Sequence, residues 1–226
     1  MNYSKRILLI ALLFSFSVVL IHAQNWRDLA SFEPDPFENN AREWFGESLD
    51  MDGQYAVVGA RLYDNKKGCA YVLKYESGSW TAIARLTASD GVDVDYLGDA
   101  VAIDGNTIVL TAGNFGKVYL YEMPAGGWTD MTENFRFTPQ DAVGRDFGTA
   151  VDIEDDLIAI SDPGTANGKV FLFEKTGANW TSDPEIAILS PTSGSADYDF
   201  GADIDIHGDM IAVGEPSHDK CYVYIF

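Results

Sequence analysis

The chain has 226 residues, two cysteines, 46% hydrophobic residues and a formal net charge of −20. Such an acidic field repels phosphate backbones and anionic lipid, which excludes a nucleic-acid partner and argues against docking on a charged membrane. It suits a soluble chain, a cation or a basic partner, and the length allows one large all-β domain or two small ones.

Residues 1–23 read as a secretory signal peptide. Lys5 and Arg6 precede an apolar run, Ile7 to Ile21, broken only by Ser15 and Ser17, and Ile21-His22-Ala23 offers a cleavage site before Gln24. The competing reading is an uncleaved anchor, but the run is short for a span of about 20 residues. Cleavage removes Lys5 and Arg6 and no acid, which takes the charge from −20 to −22 and leaves no later stretch apolar enough for membrane insertion. The expected location is therefore secreted, extracellular or on the cell surface.

Next comes Trp26-Arg27-Asp28-Leu29-Ala30-Ser31-Phe32-Glu33-Pro34, a tryptophan-led segment that takes its meaning from the repeats after it. Four later segments align: Phe45 to Gly53, Leu97 to Gly105, Phe147 to Asp155 and Phe200 to Gly208. Their shared glycines, at 46, 98, 148 and 201, lie 52, 50 and 53 residues apart. Each segment runs through a short turn, such as Asp52-Gly53 or Asp104-Gly105, into a second apolar stretch. Asp-Gly there predicts a hairpin, because its turn needs positive φ.

A third strand is expected at Ala70–Leu73, Val118–Tyr121, Val170–Phe173 and Cys221–Tyr224, where β-branched and aromatic residues dominate. A fourth is expected to start near Trp80, Trp128 and Trp180 and to end at Leu86, Phe137 and Leu189. Four strands in about 50 residues, repeated, is the arithmetic of a β-propeller blade. The predicted fold is all-β: a single domain over 24–226, a four-bladed propeller of repeats 45–88, 97–138, 147–190 and 200–226. The last repeat has no tryptophan strand of its own. Residues 25–33 supply one, so the N-terminal strand is expected to complete the last blade and remove open sheet edges. The alternative is a partial propeller from a longer, truncated chain.

Phe45-Gly46 with Val58-Gly59-Ala60, and Phe200-Gly201 with Val213-Gly214-Glu215-Pro216, resemble FG-GAP repeats. These form the propeller of integrin α subunits and occur in many bacterial secreted proteins. The middle copies depart from the pattern: Leu97 replaces Phe, and Thr111-Ala112-Gly113 and Ser161-Asp162-Pro163 replace Gly-Ala-Pro. The resemblance implies calcium loops between the first two strands of a repeat. Here tight turns stand in their place, too short to supply the six to eight oxygens calcium takes. No cofactor is therefore expected, and calcium is not carried over.

The remaining candidates are carboxylates and aromatics. Asp50, Asp152 and Asp205 each stand four places after a repeat glycine, on strands expected nearest the propeller axis, where three carboxylates could form an anionic ligand site. The competing reading has them facing blade margins and solvent. Asp93, Asp95 and Asp99, with Asp90, cluster before the second glycine, and Asp197, Asp199 and Asp203 before the fourth; each set is a candidate metal loop or an ordinary solvated turn. Tyr63, Tyr96, Phe115 and Tyr198 lie in loops and could stack on sugars. Trp26, Trp80, Trp128 and Trp180 recur in register and read as structural. Cys69 and Cys221 are expected as buried thiols, since equivalent strands of adjacent blades stand too far apart to bridge.

Catalytic residues find little support. Outside the leader only His207 and His218 occur, and neither a nucleophile elbow nor a metal-spaced histidine pair is present. Gly164 to Gly168-Lys169 is too short for a phosphate loop. The expected function is non-enzymatic binding or adhesion, recognising an extracellular protein or glycan through propeller loops. The alternatives are a polysaccharide hydrolase or lyase using the carboxylates, and a structural segment of a larger surface protein.

Overall fold

The computed structural model describes residues 44–138, 146–164, 167–181, 186–191, 199–216 and 221–226. All of them belong to the unit Glu33–Phe226. The signal peptide over 1–23, the strand expected over 25–33, Asp197, Tyr198 and His218 lie outside the described residues.

The described residues build sixteen strands into four small sheets, in chain order. The first holds β1 (Phe45–Asp52), β2 (Tyr55–Ala60), β3 (Cys69–Glu76) and β4 (Ser79–Thr87). The second holds β5 (Leu97–Asp104), β6 (Thr107–Ala112), β7 (Lys117–Glu122) and β9 (Phe135–Phe137). The strand between, β8 (Met131–Thr132), pairs in parallel with β4 at the outer edge of the first sheet. The third holds β10 (Val151–Glu154), β11 (Leu157–Asp162), β12 (Lys169–Glu174) and β13 (Ala187–Leu189); the fourth holds β14 (Asp203–His207), β15 (Met210–Glu215) and β16 (Tyr222–Ile225). Each sheet opens with an antiparallel hairpin. The helical content of the described residues is one turn, Tyr63–Lys66.

Alternation along these strands buries both faces. Ile108 and Leu110 of β6 pack with Val57, Val72 and Leu86 of the first sheet. Val109, between them in sequence, packs the other way, with Ile158, Ile160 and Phe171 of the third. Ala159 and Leu172 in turn meet Phe200, Ile206 and Val213 of the fourth. Each sheet therefore shares a separate core with the next.

The repeat glycines have a backbone reason. Gly46, Gly98, Gly148 and Gly201 sit at φ of 88°, 86°, 90° and 94°, the left-handed region that side chains disfavour. In the later three, an added Cβ would meet the preceding sheet: the Cys69 carbonyl at 2.5 Å, Val118 Cγ2 at 2.8 Å and Ser161 Cβ at 2.9 Å. The preceding residues Leu97, Phe147 and Phe200 are buried.

Three expectations need correction. Asp52 pairs with Tyr55, so the turn is Gly53-Gln54 rather than Asp52-Gly53, and Asp52 remains the last strand residue. The fourth strands begin after Trp128 and Trp180, not at them; both tryptophans are buried loop anchors in the sheet-to-sheet cores. Cys69 is a buried thiol as expected, but Cys221 is exposed, because it stands just ahead of β16 on the last sheet. No helix among the described residues is long and apolar enough to cross a membrane.

Candidate functional site

The first strands of the sheets lie side by side, and their acidic residues reach across the gaps. Asp50 accepts hydrogen bonds from its neighbour Met51 N at 2.7 Å and, in the next sheet, from Ile103 N at 2.8 Å. Asp152 repeats this, taking Ile153 N at 2.9 Å and Ile206 N at 2.5 Å. Two residues further along each strand, Asp52 accepts from Gly105 N at 2.9 Å, Asp104 from Asp155 N at 2.8 Å and Glu154 from Gly208 N at 2.6 Å. Each bond to the next sheet spans one repeat. The carboxylates stitch the first strand of one sheet to that of the next, satisfying backbone donors that strand pairing leaves open.

Asp50 and Asp152 point across to the next sheet, where backbone amides engage their oxygens. Asp205 is exposed. The three carboxyls do sense one another: burial first, then the charges of Asp205 and Asp50, push Asp152 up to about 6 against the pull of its two amide bonds. The arrangement is an anionic seam in which the half-buried Asp152 carries the raised carboxyl. Burial also raises Asp104, reinforced by Asp52, Asp155 and Glu154 and opposed by the Asp155 amide.

The loop candidates Asp93, Asp95 and Asp99 are not brought together. Each faces its own cation. Asp93 is 4.0 Å from Lys67. Asp95, 1% exposed, accepts from Lys117 Nζ at 3.0 Å and from Val92 N at 2.9 Å. Asp99 accepts from Arg61 Nη1 at 3.1 Å, while burial lifts its carboxyl above the usual range. Asp95 is thus a buried ion-pair partner that orders its own loop. Among the described residues no three His, Cys, Asp or Glu side chains are grouped to hold a metal ion.

The loops at the Asp95 end carry the described aromatic candidates. Tyr63 takes a hydrogen bond from Arg85 Nη1 at 2.7 Å, and Tyr96 lies 5.6 Å from the Arg61 guanidinium carbon. Phe115 is 41% exposed. Sequence reasoning missed Trp44, 50% exposed, whose ring lies 4.4 Å from the same guanidinium carbon. Its signal was its place directly before Phe45-Gly46, outside the register of the repeating tryptophans.

Residues 36–73 and 80–121 match the family model for the FG-GAP repeat. The chain carries FG-GAP repeats. The two matches take in the first sheet and the hairpin and third strand of the second. No curated protein matches the chain. Among solved structures it is similar to a candidate 6-phosphogluconolactonase from Bacteroides uniformis, with 14% identity and a TM-score of 0.52. The likeness covers 80% of this chain and 55% of that one. This chain thus spans little more than half the length of that structure, and at such identity the likeness shows the fold alone.

Proposed function

We propose that this FG-GAP repeat chain is an exported four-bladed β-propeller that binds an extracellular protein or glycan through its loops without transforming it. The inter-sheet carboxylate bonds carry the reading. They use the central acidic residues to hold the sheets in a fixed relation, which leaves the loops as the variable, exposed part of a rigid scaffold. In this proposal Trp26–Pro34 lies beside β16 as the fourth strand of the last blade. The exposed Val223 and Ile225 of β16 are the side chains such a strand would help to cover.

A second reading, a carbohydrate-cleaving enzyme, has one observation in its favour. Asp152, at about 6, is suited to donate a proton beside the carboxylates Asp50 and Asp205. Against it, the two amide bonds to Asp152 are those of a structural stitch. The deciding experiment incubates the chain from Gln24 onward with protein pull-down baits and a glycan array, with and without calcium, and assays polysaccharides for cleavage. Retention of an unaltered ligand is expected. Cleavage of a polysaccharide, lost in Asp152→Asn, would overturn the binding reading in favour of the enzyme.

A further inference from the structure

Eight described non-glycine residues have positive φ, and six of them lie on one end of the first two sheets: Trp44, Asp64, Asn65, Lys66, Val94 and Tyr96. A β-branched or bulky aromatic residue there is a true outlier, held only when its surroundings over-determine it. The hold is visible. Val94 N donates to the Asn65 carbonyl at 3.3 Å and Tyr96 N to the Lys66 carbonyl at 2.9 Å, fastening two loops together. Asn114 Nδ2 donates to the Val94 carbonyl at 2.8 Å and fastens a third.

What this framework presents is apolar. Trp44, Val92 and Phe115 are 50%, 52% and 41% exposed. Arg61 lies against one side of Trp44 and is tied to Glu47 and Asp99, and the Asp99 carboxylate fills the space beside Gly113, two residues before Phe115. Contacts therefore run from Trp44 through Arg61 and Asp99 to the loop that carries Phe115.

Its charge sets it apart from the rest of the molecule. Of the nine described basic residues, Lys66 and Lys67 belong to these loops, and Arg61, Arg85, Lys117 and Arg136 reach Asp99, Tyr63, Asp95 and Asp90 on them. A chain of net charge −20 thus offsets its own acids at this end, where Trp44 and Phe115 stand exposed. An anionic partner meets the field of the whole molecule, and a basic partner is better served by the unneutralised carboxylates elsewhere.

We propose that this surface binds an uncharged glycan, with Trp44 and Phe115 as stacking platforms and Arg61, Glu47 and Asn65 as hydrogen-bonding groups. An aromatic ring offers a broad, rigid contact to a sugar at little entropic cost, and fixed planar polar groups beside it give orientation. The proposal rests on the binding-module reading and names its ligand class.

The test is affinity electrophoresis of the chain from Gln24 onward in gels containing starch, mannan, xyloglucan or alginate, followed by calorimetric titration with oligosaccharide from whichever polymer retards it. Retardation by at least one neutral polymer is expected. Trp44→Ala and Phe115→Ala should each weaken it about tenfold or more, and Trp44→Phe should retain most of it. Tyr75→Ala, an exposed aromatic on β3 away from these loops, should leave it unchanged. Circular dichroism of each variant separates misfolding from lost contact. Retardation by alginate alone, lost in Trp44→Ala, would overturn the neutral-glycan assignment and keep the binding module. Neutral-glycan binding indifferent to both alanine variants would overturn the surface. Failure of every polymer would overturn the glycan class, leaving the pull-down to judge the binding reading by itself.

Discussion

Asp152 shows how one side chain can stabilise an arrangement and still burden it. Its two amide bonds favour the charged form, yet burial with Asp205 and Asp50 wins and its carboxyl rises to about 6. A carboxyl raised above its unfolded value binds its proton more tightly in the folded chain. Its contribution is therefore complete below about pH 4, the unfolded range, and is lost as pH rises through about 6. Asp99 and Asp104 are raised too and act in the same sense. Thermal melts from pH 7 to pH 5 should show this part of the stability growing on acidification, and Asp152→Asn should flatten the dependence by on the order of 2 °C. An unchanged slope in the variant would detach the residue from the effect. Glycine gives a second residue-level contrast. Gly98→Ala sets a Cβ against the Cys69 carbonyl at positive φ, whereas Gly46 has nearly the same φ with no described atom within 4 Å. Urea unfolding should find Gly98→Ala costing about 2 kcal/mol or more and Gly46→Ala about 1; equal costs would mean that backbone conformation alone explains both.

The hairpin of β5 and β6 carries the stitch most open to dissection. Asp104 accepts from Asp155 N, but it does so among Asp52, Asp155 and Glu154. An asparagine keeps an acceptor oxygen and removes the repelled charge, so Asp104→Asn should match or exceed the parent in stability at pH 7. Asp104→Ala loses the bond and should cost about 1 kcal/mol. If alanine and asparagine behave alike, the bond contributes nothing and the acid is surface charge. Sequence showed the first three strands of each repeat, because their glycine spacing, paired apolar stretches and β-branched runs are local signals. It misplaced the onset of the fourth, because Trp128 and Trp180 serve as anchors packed from outside the strand, and a tryptophan in register carries no mark of which it is. The carboxylates at 52 and 104 were visible as turn residues, while their partners lay a full repeat away. That pairing comes from how sheets stack, which no window of residues encodes. The same holds for Val94 and Tyr96: their positive φ is imposed by the neighbouring loop and leaves no trace in residue type.

At the scale of the molecule, three separate cores join the four described sheets in sequence, so stability propagates through nearest-neighbour contacts, as in other repeat proteins. Such an array is weakest where a sheet face or edge lacks a neighbour. β16 is one such place among the described strands: it ends its sheet beside β15, and Val223 and Ile225 are 71% and 62% exposed. The proposed completion by Trp26–Pro34 makes a prediction that no local change in the first repeat would mimic. Trp26→Ala, well before the first described strand in sequence, should lower the urea midpoint and raise amide exchange in β15 and β16 before it affects β5 or β6. The physical reason is that a closing strand supplies hydrogen bonds and apolar cover to one edge only, and neighbouring sheets feel the loss through a single interface. Exchange measured by mass spectrometry on the chain from Gln24 onward resolves these strands separately. Faster exchange confined to the first sheet, or none anywhere, would show that the N-terminal tryptophan does not complete the last sheet.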